Sequence, residues 1–98
     1  MAYRLEIREK VRTGTIAGYL WYEEKSQGLG SRFVSEIEEM IEYITQYPYH
    51  FQVKYKDYRE GILKKFPYVV IYQVHEDLIT ISSVFPCKDD PEKKQEYK

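Results

Sequence analysis

The sequence predicts an α+β fold: a small, mostly antiparallel sheet with a helical hairpin packed on one face. Three observations lead there. Residues 58–85 read as three successive runs rich in Val, Ile, Thr, Tyr and Phe, divided by Pro67 and by His75-Glu76-Asp77. Such residues suit a pleated, half-buried surface. Residues 29–47 carry Phe33, Ile37, Met40, Ile41 and Ile44 at helical spacing, with Glu36, Glu38, Glu39 and Glu42 off the stripe. Residues 3–11 alternate, with Tyr3, Leu5 and Ile7 against Arg4, Glu6 and Arg8. The resulting element order is β-α-α-β-β-β.

Taken in order, residues 3–11 are expected to form a half-buried strand near the sheet edge, its charges on the wet side. Thr13-Gly14-Thr15 reads as a turn and N-cap. A helix follows over 16–25, with Ile16, Tyr19, Leu20 and Glu23 along one stripe and Trp21 and Tyr22 broadening its apolar face. Gly18 inside it costs about 1 kcal/mol relative to Ala, which suggests a closely packed neighbour. Gly28 suits a left-handed residue after the helix. The second helix ends at Tyr47-Pro48, and the short link makes the two helices an antiparallel hairpin across the sheet. Residues 49–57 are Tyr- and Lys-rich without strong periodicity. Of the three strands that follow, 62–66 holds Lys64 and Lys65, and 68–74 is the central strand, covered on both faces. Residues 78–85 complete the meander. One domain over 1–91 and a charged tail over 92–98 are expected.

Composition bounds the function. Hydrophobic residues at 43% and charged residues at 32% fit a globular domain. Tyr is abundant, 11 residues, and its apolar body with a polar tip suits an interface. The single cysteine, Cys87, forms no internal disulfide, which fits a reducing compartment. The N-terminus is too charged for a signal peptide, and no apolar run spans a bilayer. The expectation is a cytoplasmic protein with no membrane partner. Net charge is -1, no electrostatic sign of nucleic acid. Its distribution is uneven: residues 23–42 hold six Glu against Lys25 and Arg32, a balance of -4. Residues 54–65 hold five cations against Asp57 and Glu60, a balance of +3.

WYEEKSQGLGSRFVSEIEEMIEYITQYP resembles the helix–Gly-Leu-Gly-x-Arg-Phe–helix–Pro stretch of the RelE/ParE superfamily, toxins of bacterial type II toxin–antitoxin modules of the plasmid-stabilisation type. Tyr58-Arg59, Lys65-Phe66-Pro67-Tyr68 and Ile71-Tyr72 are similar to its "R … FPY … Y" strand pair, and residues 79–84 with the following basic position and Asp-Pro to its last strand and exit. The likeness runs over residues 3–91. It implies a concave, basic functional face opposite the hairpin, and a cognate antitoxin as first partner. It also implies one of two activities: poisoning of DNA gyrase without catalysis, or cleavage of mRNA on the ribosome by Lys and Arg. Val69 stands where the ribonuclease branch commonly has Arg, and only Lys88 remains of the basic end of its last strand. These departures favour the gyrase inhibitor. The alternatives are the mRNA endonuclease and a decayed toxin that binds its antitoxin only.

RNA cleavage needs a base for the 2′-hydroxyl, cations at the phosphorane and a proton donor. Arg59, Lys64, Lys65 and Lys88 are the target-binding candidates. Arg59 leads them, since a guanidinium binds phosphate or carboxylate bidentately. It is read as exposed, so Arg59→Ala is expected to leave the fold nearly intact. Lys64 and Lys65, adjacent on a predicted strand, leave opposite faces. His50 and His75 are read as surface residues, Cys87 as a bystander thiol and Tyr97 as part of the frayed tail. Catalytic residues are unassigned. Tyr43, Tyr47, Tyr49 and Tyr55 are the antitoxin-interface candidates. Neither metal-ligand spacing nor a glycine-rich phosphate loop is present, so no metal and no cofactor is expected.

Overall fold

The computed structural model describes residues 3–87. Its elements are β1 (Arg4–Ile7), α1 (Glu9–Lys25), α2 (Leu29–Gln46), β2 (Val53–Tyr55), β3 (Tyr58–Ile62), β4 (Tyr68–His75) and β5 (Leu78–Pro86). The strands form one mixed sheet in the order β1-β5-β4-β3-β2. β1 runs parallel to β5, and every other neighbour is antiparallel. The expected α+β architecture is therefore present, with β2 added to it. That strand is only three residues long and its pairing with β3 is irregular, so residues 49–57 carry almost no period-2 signal.

β4 is the central strand, and Val69 to Tyr72 are buried on alternate faces. Val70 and Tyr72 join Phe33, Ile37 and Ile44 of α2 in the main core. Val69 and Ile71 form a smaller cluster on the opposite face, against Tyr55, Tyr58, Phe85 and Cys87. β5 keeps two apolar sides by a bulge: Ile71 pairs with Ser83 and Tyr72 with Ile81, leaving Ser82 as the extra residue. Ile79, Ile81 and Val84 can then all belong to the main core despite their uneven spacing.

The N-terminal third differs from expectation. β1 stops at Ile7, and residues 9–15 are helical, so Thr13-Gly14-Thr15 is neither turn nor cap. The cause is contact. α1 crosses β5 so closely that a Cβ on Gly14 would collide with the carbonyl oxygen of Val84. At Gly18 a Cβ would stand 2.5 Å from the Phe33 ring, as the sequence suggested of that glycine. The face of α1 turned inward is therefore Val11, Gly18 and Tyr22. Ile16, Leu20 and Trp21, expected on the core face, are exposed at 51%, 60% and 53%. The larger side chains mark the apolar face in the sequence, whereas the helix makes its closest approaches at Gly14 and Gly18.

The helical hairpin closes through Glu23. Its carboxylate accepts the Gly28 N–H at 2.8 Å and the Gly30 N–H at 2.9 Å. A negative charge at the start of α2 also complements the helix dipole. Gly28 has φ 87, the left-handed residue expected there. On α2, Phe33, Ile37 and Ile44 are buried, and Met40 and Ile41 are half-buried against them. Among the described residues no helix is long and apolar enough to cross a membrane.

Candidate target- and partner-binding surface

Two corners of the domain hold Lys64 and Lys65, and Arg59 with three of the candidate tyrosines. The first lies where α2 meets the β3–β4 connection. β3 ends at Ile62, so Lys64 and Lys65 sit in a bend and not on a strand. Leu63 and Phe66 are buried and anchor the bend, which pushes both lysines outward. The backbone N–H groups of Lys64 and Lys65 both donate to Glu36 Oε2, at 2.8 and 3.2 Å. That carboxylate replaces the strand partner expected for the lysine backbone. A groove of about 400 Å³ runs beside it, lined by Arg32, Glu36, Glu39, Lys64, Lys65 and Phe66 together with two serines. Its cations outnumber its carboxylates, so the corner is basic at its rim.

The second corner lies past the end of α2. Tyr43 and Tyr47 meet with ring centroids 5.0 Å apart, and His50 stands edge-on between Tyr43 and Phe51. Tyr72, buried in the sheet, donates its hydroxyl to the Pro48 carbonyl at 2.7 Å. Arg59 pairs with Tyr72 across β3 and β4, so its side chain leaves on the helix side. Its guanidinium donates to the Phe51 carbonyl at 2.6 Å and stacks 5.0 Å above the Tyr49 ring. Burial pushes the Tyr72 phenol up to about 12, against a smaller downward pull from Arg59 and the Phe51 backbone. Arg59 thus pins the α2–β2 connection to the sheet.

Three of the four candidate tyrosines, Tyr43, Tyr47 and Tyr49, therefore share an exposed aromatic corner. Tyr55 lies elsewhere, against the Val69 and Ile71 cluster, with the Lys56 ammonium 5.6 Å from its ring. The candidate cations do not converge. Arg59 is half-buried and on the helix side, and Lys64 and Lys65 flank α2. Lys88 and Tyr97 lie outside the described residues. The face opposite the hairpin was expected to be basic. Its described residues include Tyr55, Tyr58, Glu60, Val69, Ile71 and Phe85, an aromatic and apolar set with one carboxylate. The apolar Val69 there is buried, packed beside Ile71.

The two histidines stand in different places. His75 closes β4 at the end away from Lys65, roughly 23 Å along the strand. Its Nε2 lies 3.0 Å from Asp57 Oδ2. His50 follows α2 but folds back so that its ring meets Tyr43, roughly 10 Å along the helix from Glu36. Among the described residues no three metal-ligating side chains come together. Cys87 is half-buried beside the Val69 cluster.

The family model for the ParE toxin of the parDE type II toxin–antitoxin system matches residues 5–91. The chain belongs to the ParE toxin family. Among solved structures, this toxin is similar to a chain of the chromosomal ParDE system of P. aeruginosa, with TM-score 0.80 and 16% identity, covering 89% of this chain and 98% of that one. It is also similar to the isolated E. coli RelE toxin, with TM-score 0.63 and 16% identity over 98% and 96% of the two chains. A chain of the intact E. coli RelBE toxin–antitoxin complex gives TM-score 0.65 and 17% identity over 89% and 99%. At such identities these likenesses establish the shared fold. No curated protein matches the chain. The family assignment agrees with the resemblance read from the Gly-Leu-Gly-x-Arg-Phe and Phe-Pro-Tyr stretches.

Proposed function

We propose that this ParE-family toxin acts by binding, as an inhibitor of DNA gyrase without catalysis of its own, and that a cognate antitoxin neutralises it. The observation that carries this reading is that the lysine pair, the corner holding Arg59 and His50, and His75 stand apart. A ribonuclease must bring a base, an acid and a cation to one phosphate, within about 3 Å of each reacting atom. Here Arg59 is bonded to a backbone carbonyl, Lys64 and Lys65 flank α2, His50 packs on Tyr43 about two turns along α2 from Glu36, and His75 closes the far end of β4. The exposed side chains of Lys64 and Lys65 are then the target contacts among the described residues. The aromatic corner of Tyr43, Tyr47 and Tyr49 is the antitoxin seat, since exposed tyrosines offer large contact area at little entropic cost.

Inducing the chain alone, with reporters of DNA damage and of translation, tests the reading. The expected outcome is a DNA-damage response with translation initially intact, suppressed when the neighbouring antitoxin frame is co-expressed. A translation block with codon-positioned mRNA cuts returns the chain to the ribonuclease alternative. Silence in both reporters with a retained antitoxin complex indicates a decayed toxin.

A further inference from the structure

The outer face of α1 is left without a use by everything above. It carries two exposed rows at i, i+4 spacing: Arg12-Ile16-Leu20-Glu24 and Thr13-Ala17-Trp21-Lys25. Ile16 and Leu20 are half or more exposed in the middle of the first row. Lys25 holds its ammonium 4.6 Å from the Trp21 ring and covers part of the second. Apolar residues at the centre of a row, with opposite charges at its two ends, are what a helix needs to pair with a copy of itself. A two-fold axis through the level of residue 18 exchanges Ile16 with Leu20 and Arg12 with Glu24. In the paired state Ile16 faces Leu20 of the second copy, and each Arg12 faces the other copy's Glu24. Rows at i±4 are those that interlock when helices cross at about −50°, the commonest packing class. A closed, self-complementary contact of this kind makes a dimer and no larger assembly.

We propose that the chain self-associates through α1, in a two-fold antiparallel pair centred between Ile16 and Leu20. The occupant of the face is a second copy because the charges of the row are complementary to themselves under that axis. A contact of one helix falls below the roughly 1,200 Å² of stable interfaces, so the dissociation constant is expected on the order of 100 µM.

Analytical ultracentrifugation of the full chain, from about 5 µM to about 1 mM, reads this directly. The parent should pass from monomer to dimer within that range. Leu20→Lys should abolish dimerisation, and its exposed position leaves the melting curve close to the parent's. Arg12→Glu and Glu24→Arg should each weaken the dimer by about tenfold, because each sets like charges against one another twice. The double variant Arg12→Glu/Glu24→Arg should restore it, since the pairs re-form with their signs exchanged. A parent that stays monomeric throughout overturns the proposal and leaves the face to a different protein. A dimer indifferent to Leu20→Lys, or single variants that weaken without rescue by the double exchange, overturns it as well.

Discussion

Arg59 shows how a residue chosen for function can belong to the scaffold. Its position after Tyr58 was legible from the sequence, but its surroundings were not, because they depend on which face of β3 meets α2. The alternation is fixed by Gly61, where a Cβ would stand 2.8 Å from Met40 Sδ, so the odd-numbered side of β3 faces the helices. Arg59→Ala removes a charge-assisted hydrogen bond to the Phe51 carbonyl and the stack on Tyr49. The expected cost is about 1.5–3 kcal/mol, in place of the negligible one that exposure implied. Urea unfolding measures it, and an unchanged midpoint would show the guanidinium free in solution. Tyr72 supplies a second test at this scale. Its phenol titrates near 12 in the fold and near 10 in an unfolded chain, so the folded state favours the protonated form. Stability from this group is complete below about pH 10 and is lost as pH rises through about 12. Tyr22 and Tyr68 are raised too, chiefly by burial. The domain should therefore unfold in strong alkali with an onset above about pH 10, and Tyr72→Phe should blunt that loss while costing about 1 kcal/mol at neutral pH through the Pro48 bond.

At the scale of elements, the two helices differ in how far the sequence exposes them. α2 packs on Phe33, Ile37 and Ile44, large residues at helical spacing, and its inward face could be read directly. Ile44→Ala should cost about 2–5 kcal/mol, measured by urea unfolding, and the half-buried Ile41 less. α1 packs on Gly14 and Gly18, and an approach made through missing side chains leaves no apolar stripe to read. Gly14→Ala is expected to destabilise the fold at least as much, because the new methyl meets the Val84 backbone, which cannot rotate away. A thermal midpoint equal to the parent's would contradict that crossing. The lysine bend is illegible in the sequence for a related reason. Residues 62–66 look like a strand only while Glu36, 28 positions away from Lys64, is not known to take the backbone donors. Removing that carboxylate with Glu36→Ala strands two N–H groups, and hydrogen exchange at Lys64 and Lys65 should quicken while β4 stays protected.

For the whole molecule, the family was legible because its signature sits in turns and strand starts: Gly28 with φ 87, the Pro67 break before β4, and Pro48 after α2. Those positions are constrained by backbone conformation, whatever the toxin acts on. The target is not written there. It depends on which cations stand together in space, and that is settled by sheet register and by a carboxylate from another element. The most direct measurement is a DNA supercoiling assay with gyrase and the purified chain, run beside primer extension on translated mRNA. The parent is expected to inhibit supercoiling, Lys64→Gln/Lys65→Gln to lose most of that inhibition while melting as the parent does, and no mRNA cuts to appear. Unimpeded gyrase together with cuts at codon positions would contradict the proposed gyrase inhibition.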